Sequence, residues 1–117
     1  MQSALAQLSG LDELDGLLSL SEDQPVLLFK HSYTCGISAE ALDELLQHVT
    51  ESPGQARYAM VTVQTHRDVS NAVSKRLGIR HETPQALLIR GGKVVWSASH
   101  FRVTAQAVAT AVNAQSR

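Results

Sequence analysis

The sequence has little cysteine, few aromatic residues and no excess of positive charge. A single cysteine, Cys35, cannot form an internal disulfide, which excludes a disulfide-stabilised scaffold. Lysine and arginine total 10 against 11 aspartate and glutamate residues, and aromatic residues make up only 4%, so the basic and stacking surfaces that bind nucleic acids are missing. We therefore expect no nucleic-acid partner.

Long apolar runs are also absent. No run approaches the ~18 apolar residues that a membrane helix needs. The opening stretch MQSALAQLSGLDELDGLL has no basic segment ahead of an apolar one, unlike a signal peptide. We expect a cytoplasmic protein without a membrane partner. Its 117 residues, 44% of them hydrophobic, predict a single domain over residues 1–117, and we expect a monomer.

The sequence does contain an alternation of strand and helix patterns. Four consecutive apolar residues, Val26 to Phe29, predict a central strand covered on both faces. The segment 35–49 has a helical apolar stripe, and RYAMVTV followed by 69–77 predicts a further strand and helix, with a parallel crossover between the strands. QALLIR, GG and KVVWSAS predict a β-hairpin whose glycines supply positive φ angles, and a last helix follows.

The helix ends and the fold class follow from the same patterns. Ser9 is expected to cap a first helix that carries Leu11, Leu14, Leu17 and Leu18. Thr34 and Thr104 are expected to cap the second and last helices, and Gly78 to end the third. The inward stripe of the second helix is expected to consist of Ile37, Ala41, Leu42, Leu45, Leu46 and Val49. A cysteine between strand and helix, and a proline ahead of the closing hairpin, complete the pattern of the thioredoxin fold. We predict an α/β protein with a thioredoxin-like fold, in which helices flank a central mixed sheet of four to five strands.

Cys35, in SYTCGIS, is the candidate catalytic residue. At a helix start the first backbone N–H groups have no partner, so a thiolate there gains hydrogen bonds and a favourable dipole. The thiolate is the form of cysteine that attacks disulfides, so this position favours a nucleophile. Ser38 stands where a redox pair has its second cysteine, and its hydroxyl could hydrogen-bond the thiolate but could not resolve a mixed disulfide. The alternative is an inert, buried cysteine.

Pro84, in ETPQ, is the second candidate feature. A cis Thr83–Pro84 bond at a strand entrance would leave the backbone of Thr83 free to pair with an incoming chain beside Cys35. A trans proline that only starts an edge strand is the alternative, and we predict the cis bond. His81 and Glu82 are expected to order this loop through hydrogen bonds, with a direct substrate contact as the alternative.

Histidines offer further candidates. His31, four residues before Cys35, could stabilise the thiolate as an imidazolium, with packing or helix capping as an equal alternative. The five histidines and one cysteine show no paired ligand spacing such as HxxxH or CxxC, so we expect no metal site.

Four segments in register resemble the monothiol bacilliredoxin family: LLFKHSYTCGIS, VQTHRDVSN, LGIRHETPQALLI and VVWSASH, spread over Ser9 to Val112. The resemblance implies a thioredoxin-like fold, with Cys35 as the reactive cysteine and Pro84 as a cis-proline. The candidate thiolate-stabilising residues are His31, Thr34, Gly36, Ile37 and Ser38. The candidate substrate-binding residues are His81, Glu82, Thr83 and Pro84.

The resemblance also implies a function. Members of the family are thought to remove bacillithiol, a small thiol that some bacteria use in place of glutathione, from protein mixed disulfides. The resemblance implies that no cofactor is bound and that bacillithiol, or else glutathione, is the co-substrate. The partners that it implies are S-thiolated client proteins and a separate reductase. Lys30, Arg67 and Arg80 could meet carboxylates of the small thiol, or be solvated surface charges. Gly36 and Asp68 depart from the family pattern, which usually has proline at both positions.

Two other functions stay open. CGIS differs by one residue from the CGFS of monothiol glutaredoxins, which hold a [2Fe–2S] cluster between two subunits with glutathione. Against this, no glycine-glycine-cysteine-aspartate segment follows the hairpin. The other alternative is a stress sensor or binding module whose Cys35 is oxidised or capped without turnover.

Overall fold

A computed structural model describes residues 5–52 and 55–115 of the chain. The opening stretch that differs from a signal peptide begins with residues 1–4, and these four residues lie outside the described range. The strands are β1 (Leu5–Gln7), β2 (Val26–His31), β3 (Arg57–Thr62), β4 (Gln85–Arg90) and β5 (Lys93–Ser99). The helices are α1 (Leu11–Leu20), α2 (Gly36–Glu51), α3 (Arg67–Leu77) and α4 (Ala105–Gln115), and a 3₁₀ turn covers His100–Arg102.

The strands form one five-stranded mixed sheet in the order β1-β3-β2-β4-β5. β2 is the middle strand and pairs in parallel with β3 and antiparallel with β4, while β5 closes an antiparallel hairpin. The predicted mixed sheet, central strand and parallel connection are therefore confirmed. β1 was not predicted, because three residues that pair with β3 are too short to carry a periodic signal.

Helices cover both faces of the sheet, and β2 contributes to a core on each side. Leu27 and Phe29 pack in the cluster beneath α2 and α4. Val26 and Leu28 pack in the cluster beneath α1 and α3. Side chains alternate along a strand, so a continuous apolar run is what a doubly covered strand requires. Each of these buried side chains contributes about 1.5–3 kcal/mol.

Turn residues mostly behave as predicted. Gly78 ends α3 with φ 62°, and Gly91 and Gly92 form the hairpin turn with φ 62° and 75°. Thr104 caps α4, because its Oγ1 accepts from Ala107 N at 3.1 Å. The prediction for Ser9 was wrong: Gly10 is the N-cap of α1, and Ser9 instead donates to the Glu13 carboxylate through both its N–H and its hydroxyl.

The inward face of α2 differs from the predicted stripe at one end. Leu46 is 38% exposed, so its assignment to the stripe was wrong. His48 is buried there instead, and its Nε2 lies 2.7 Å from the hydroxyl of Tyr58 in β3. A hydrogen-bonded histidine can thus occupy a position that hydrophobicity alone assigns to leucine. No helix in the described ranges is long and apolar enough to cross a membrane.

Candidate active site

Cys35 lies between the end of β2 and the start of α2. Its backbone is still extended, with φ −114° and ψ 120°, so Cys35 itself is the N-cap and the helix starts at Gly36. The first helical hydrogen bond runs from Ala39 N to Cys35 O at 3.1 Å, which leaves the N–H groups of residues 36–38 without helical partners. The side chain is half-buried and the thiol is free. A partly accessible sulfur at a helix start fits the predicted position.

The loop ahead of Cys35 is held by Gln64, which follows β3. Its Nε2 donates to Ser32 Oγ at 2.6 Å and to Thr34 Oγ1 at 3.1 Å, and its Oε1 accepts from Tyr33 N at 3.4 Å. The expected capping role of Thr34 was wrong, because the helix begins one residue later and Thr34 faces Gln64. Gln64 lies in one of the segments that resemble the family. Nothing in the sequence predicted its contact with Ser32, which is 32 residues earlier in the chain.

Ser38 and His31 bind each other instead of the cysteine. Ser38 is 0% exposed, its Oγ accepts from Ser32 N at 2.9 Å and lies 2.8 Å from His31 Nδ1. Within the described ranges, no hydrogen bond joins Ser38 to the sulfur of Cys35. Burial lowers the pKa of His31, whose ring stacks on Phe29 at 6.0 Å, so the imidazole is neutral at pH 7. His31 is thus a packing residue, and the imidazolium alternative was wrong.

The loop before Pro84 lies at the same end of the sheet as Cys35. The Thr83–Pro84 peptide bond is cis, which confirms that prediction. The next residue, Gln85, is opposite Lys30 near the end of β2, so both the cysteine loop and the proline loop leave the sheet at this end. The sheet register therefore places the two predicted parts of the site at the same end of the sheet.

Polar contacts order the proline loop, as expected for His81 and Glu82. Glu82 Oε1 accepts from Ser99 Oγ at 3.2 Å and lies 3.6 Å from His100 Nδ1. The backbone N–H of His100 donates to Pro84 O at 3.0 Å. His100 has φ 55°, a left-handed conformation that is uncommon outside glycine. No sequence pattern predicted these contacts between the end of β5 and the proline loop, although Ser99 and His100 lie in a segment that resembles the family.

A groove of about 340 Å³ lies along α2 and includes Ile37, two residues after Cys35 in the chain. One wall carries Ile37 and Ala41, and the other carries Phe101 and Val103. The candidate residue Ile37 therefore lies on the groove as well as in the first turn of α2. Phe101 is 71% exposed, so its ring forms an apolar edge of the groove that is open to solvent. Among the described residues, no three His, Cys, Asp or Glu side chains are grouped to hold a metal ion.

A family model described as Monothiol bacilliredoxin BrxC matches residues 6–108. The chain belongs to the monothiol bacilliredoxin family. A solved structure described as an oxidoreductase with a thioredoxin fold is 30% identical, covers 92% of this chain and 93% of its own, and superposes with a TM-score of 0.82. Family and fold together place this bacilliredoxin-family chain among the thiol oxidoreductases.

Thioredoxins share the fold at lower identity. Fasciola hepatica thioredoxin is 15% identical, with 95% of this chain and 99% of that chain covered and a TM-score of 0.76. Mitochondrial thioredoxin 3 from Saccharomyces cerevisiae is 14% identical, with 96% and 99% covered and a TM-score of 0.70. These similarities confirm the thioredoxin fold of this member of the monothiol bacilliredoxin family.

Gly36, the departure from the usual proline, should accept that proline. Gly36 is the first residue of α2, where proline loses no helical hydrogen bond, and Cys35 already has the extended backbone that precedes proline. A Cβ at Gly36 would meet no atom within 4 Å. We expect Gly36→Pro to raise the unfolding free energy by about 0.5–1 kcal/mol through lower entropy of the unfolded chain.

Urea denaturation of the reduced protein measures this change. Gly36→Ala is the matched variant, because it adds a side chain without fixing φ, and we expect a smaller gain. A loss of stability in Gly36→Pro would contradict the prediction.

Proposed function

We propose that the protein is a cytoplasmic monothiol oxidoreductase that removes bacillithiol, or a similar small thiol, from S-thiolated proteins through Cys35. The observation that carries this proposal is the half-buried sulfur at the start of α2, at the end of the sheet where the Thr83–Pro84 loop also lies. Membership of the bacilliredoxin family supports the same chemistry.

The proposed reaction needs one sulfur nucleophile and no internal partner. The Cys35 thiolate attacks the small-thiol sulfur of the mixed disulfide, which releases the client cysteine as a thiolate and leaves the small thiol on Cys35. A second small thiol, or a separate reductase, then attacks this new disulfide and returns Cys35 to the thiolate. The N–H groups of residues 36–38 have no helical partners, and in the proposed reaction they would stabilise negative charge on the sulfur in both steps.

The proline loop and the groove supply a surface for the client. Thr83 is partly exposed, and its backbone can pair with an extended segment of the client next to the reacting disulfide. The groove beginning at Ile37 can receive apolar client side chains, with Phe101 as one wall. The 63% exposed Tyr33 lies on the loop just before Cys35 and adds apolar surface there.

Phe101→Ser tests the groove. We expect KM for an S-thiolated protein client to rise about fivefold, equivalent to about 1 kcal/mol of lost apolar contact, with little change in kcat. Leu46→Gln is the matched control, because it removes an exposed apolar side chain of α2 that does not line the groove. An equal rise of KM in both variants, or none in Phe101→Ser, would remove the groove from client binding.

Turnover of a defined client tests the function. A protein that carries one bacillithiol-blocked cysteine is incubated with the reduced protein and excess bacillithiol, and intact mass spectrometry follows both chains. We expect one bacillithiol mass to appear on this chain as the client loses it, and many clients to be freed per molecule. Capture of a single equivalent without turnover would favour the sensor, and absorbance of an iron–sulfur cluster after anaerobic purification would favour the glutaredoxin alternative.

A further inference from the structure

A buried lysine near the end of β2 takes no part in the steps above. Lys30 is 0% exposed, and its ammonium nitrogen lies 2.7 Å from Ser74 Oγ in α3 and 3.0 Å from His81 Nδ1. The two salt bridges found within residues 5–52 and 55–115 do not include Lys30. The expectation that it could be a solvated charge or a direct contact of the small thiol was wrong. A buried cation without a carboxylate partner is costly, so its presence requires an explanation.

Two further buried polar groups lie on the elements next to Lys30. Gln85 is directly opposite Lys30 in the antiparallel pair, so its side chain lies on the same face of the sheet. Ser70 is one turn before Ser74 on α3 and lies on the same side of that helix. Ser70 Oγ and Gln85 Oε1 are buried without a hydrogen-bond partner among the described residues. We call Lys30, Ser70, Ser74, His81 and Gln85 the Lys30 cluster.

The Lys30 cluster fixes the protonation state of His81. Burial lowers the pKa of Lys30 to about 8, so the amine is mostly an ammonium at pH 7. An ammonium only donates hydrogen bonds, so His81 Nδ1 is the acceptor and the ring proton lies on Nε2. Partial desolvation of the ring, then the charges of Lys30 and Arg67, lower the pKa of His81, and Glu82 acts in the opposite direction. The ring is therefore neutral at pH 7, with Nε2 3.5 Å from Thr83 Oγ1.

We propose that Lys30 is a positioning residue for thiol exchange: its hydrogen bond fixes the His81 ring, and through it the Thr83 backbone that receives the client. This role rests on the proposed function, because it serves the same client-binding loop. Because Lys30 is fully buried, we expect it to act through His81 and not by direct contact with the client or the small thiol. The hydroxyl of Ser74 and the ring nitrogen of His81 give the buried ammonium two hydrogen-bond partners.

Lys30→Met is the first test, because methionine keeps the buried apolar stem and removes the ammonium. We expect KM for the S-thiolated client to rise about tenfold, since a less ordered loop binds the client less well. Nitrogen NMR spectra of His81 should show a mixture of the two neutral tautomers in place of the Nε2–H form. Lys75→Met removes the same charge from the exposed face of α3 beside Ser74 and should change neither readout.

A double-mutant cycle separates positioning from general loss of structure. His81 is exposed, so His81→Ala leaves the core intact. If Lys30 acts through His81, Lys30→Met raises KM in the wild-type background and not in the His81→Ala background. Should Lys30→Met not fold, His81→Asn replaces Nδ1 by an oxygen acceptor and should recover part of the KM lost in His81→Ala.

The outcomes distinguish this role from the proposed function. Equal effects of Lys30→Met in both backgrounds, an unchanged KM or an unchanged His81 tautomer would reject the positioning role alone. Absence of any client turnover by the wild-type protein would reject the proposed function and the positioning role together.

Discussion

Replacing Cys35 by serine is expected to lower the release of the small thiol from an S-thiolated client by at least about a thousandfold. A serine hydroxyl is not ionised near neutral pH, and its oxygen cannot form the mixed disulfide through which the proposed reaction passes. The remaining rate should equal the direct reaction of bacillithiol with the client. Mass spectrometry of the client over time, with and without the variant, measures both rates.

The loss must come from chemistry and not from folding. Cys35 is half-buried and its side chain does not cap α2, so serine should fit without disturbing the helix. Thermal unfolding of Cys35→Ser should therefore match that of the reduced wild-type protein. Full turnover by a folded Cys35→Ser protein would show that another group performs the exchange, and the assignment of Cys35 would fail.

The second large expected effect is a pH dependence of the unfolding free energy that comes from Lys30. Folding lowers the pKa of Lys30 from 10.5 to about 8, because the side chain is buried. Between these values the unfolded chain binds more protons than the folded one, so the unfolding free energy rises with pH. The stability linked to this group is complete above pH 10.5 and is lost as the pH falls through about 8.

Lys30→Met should remove this pH dependence. Between about pH 7 and about pH 10, we expect the wild-type protein to gain about 2 kcal/mol of unfolding free energy relative to the variant. Urea denaturation measures the difference, with Cys35→Ser in both proteins to prevent oxidation. The comparison ends at pH 10, because burial raises the pKa of Tyr58 to about 12 and stability linked to that group is lost at higher pH.

A variant that removes an exposed lysine controls for the general effect of removing one positive charge. Lys75→Met, on the exposed surface of α3, should follow the wild-type protein at every pH. A difference between Lys30→Met and wild type that stays constant with pH would mean that Lys30 does not carry a lowered pKa in the folded protein.

The arrangement of strands and helices could be predicted because burial leaves a periodic signal in the sequence. The apolar run from Val26 to Phe29 predicts the doubly covered strand, and the glycines at 78, 91 and 92 lie at positive φ angles. The helix starts were predicted one residue too early, at Ser9 and Thr34. A polar side chain identifies the neighbourhood of a helix start, but the residue at which the backbone leaves the extended region depends on the surrounding contacts.

The contacts of the candidate site were much less predictable than its position. Cys35 and Pro84 could be located because each type of residue has a distinct role at a helix start or a strand entrance. The burial of Lys30 depends on Ser74 and His81, which are 44 and 51 residues away along the chain. Gln64 likewise acts on a loop from which it is distant in sequence. No local pattern records such pairings, so they become visible only in the folded chain.

The position of Ser38 bears on how this lineage could evolve. Its hydroxyl is sealed from solvent and joins the end of β2 to the loop before Cys35, through His31 and Ser32. A cysteine at this position would bring a bulkier sulfur atom that forms weaker hydrogen bonds, so the contacts with His31 and Ser32 would weaken. A single substitution is therefore a poor route from this fold to a self-resolving dithiol enzyme. Such a transition would require compensating changes at His31 and Ser32 first.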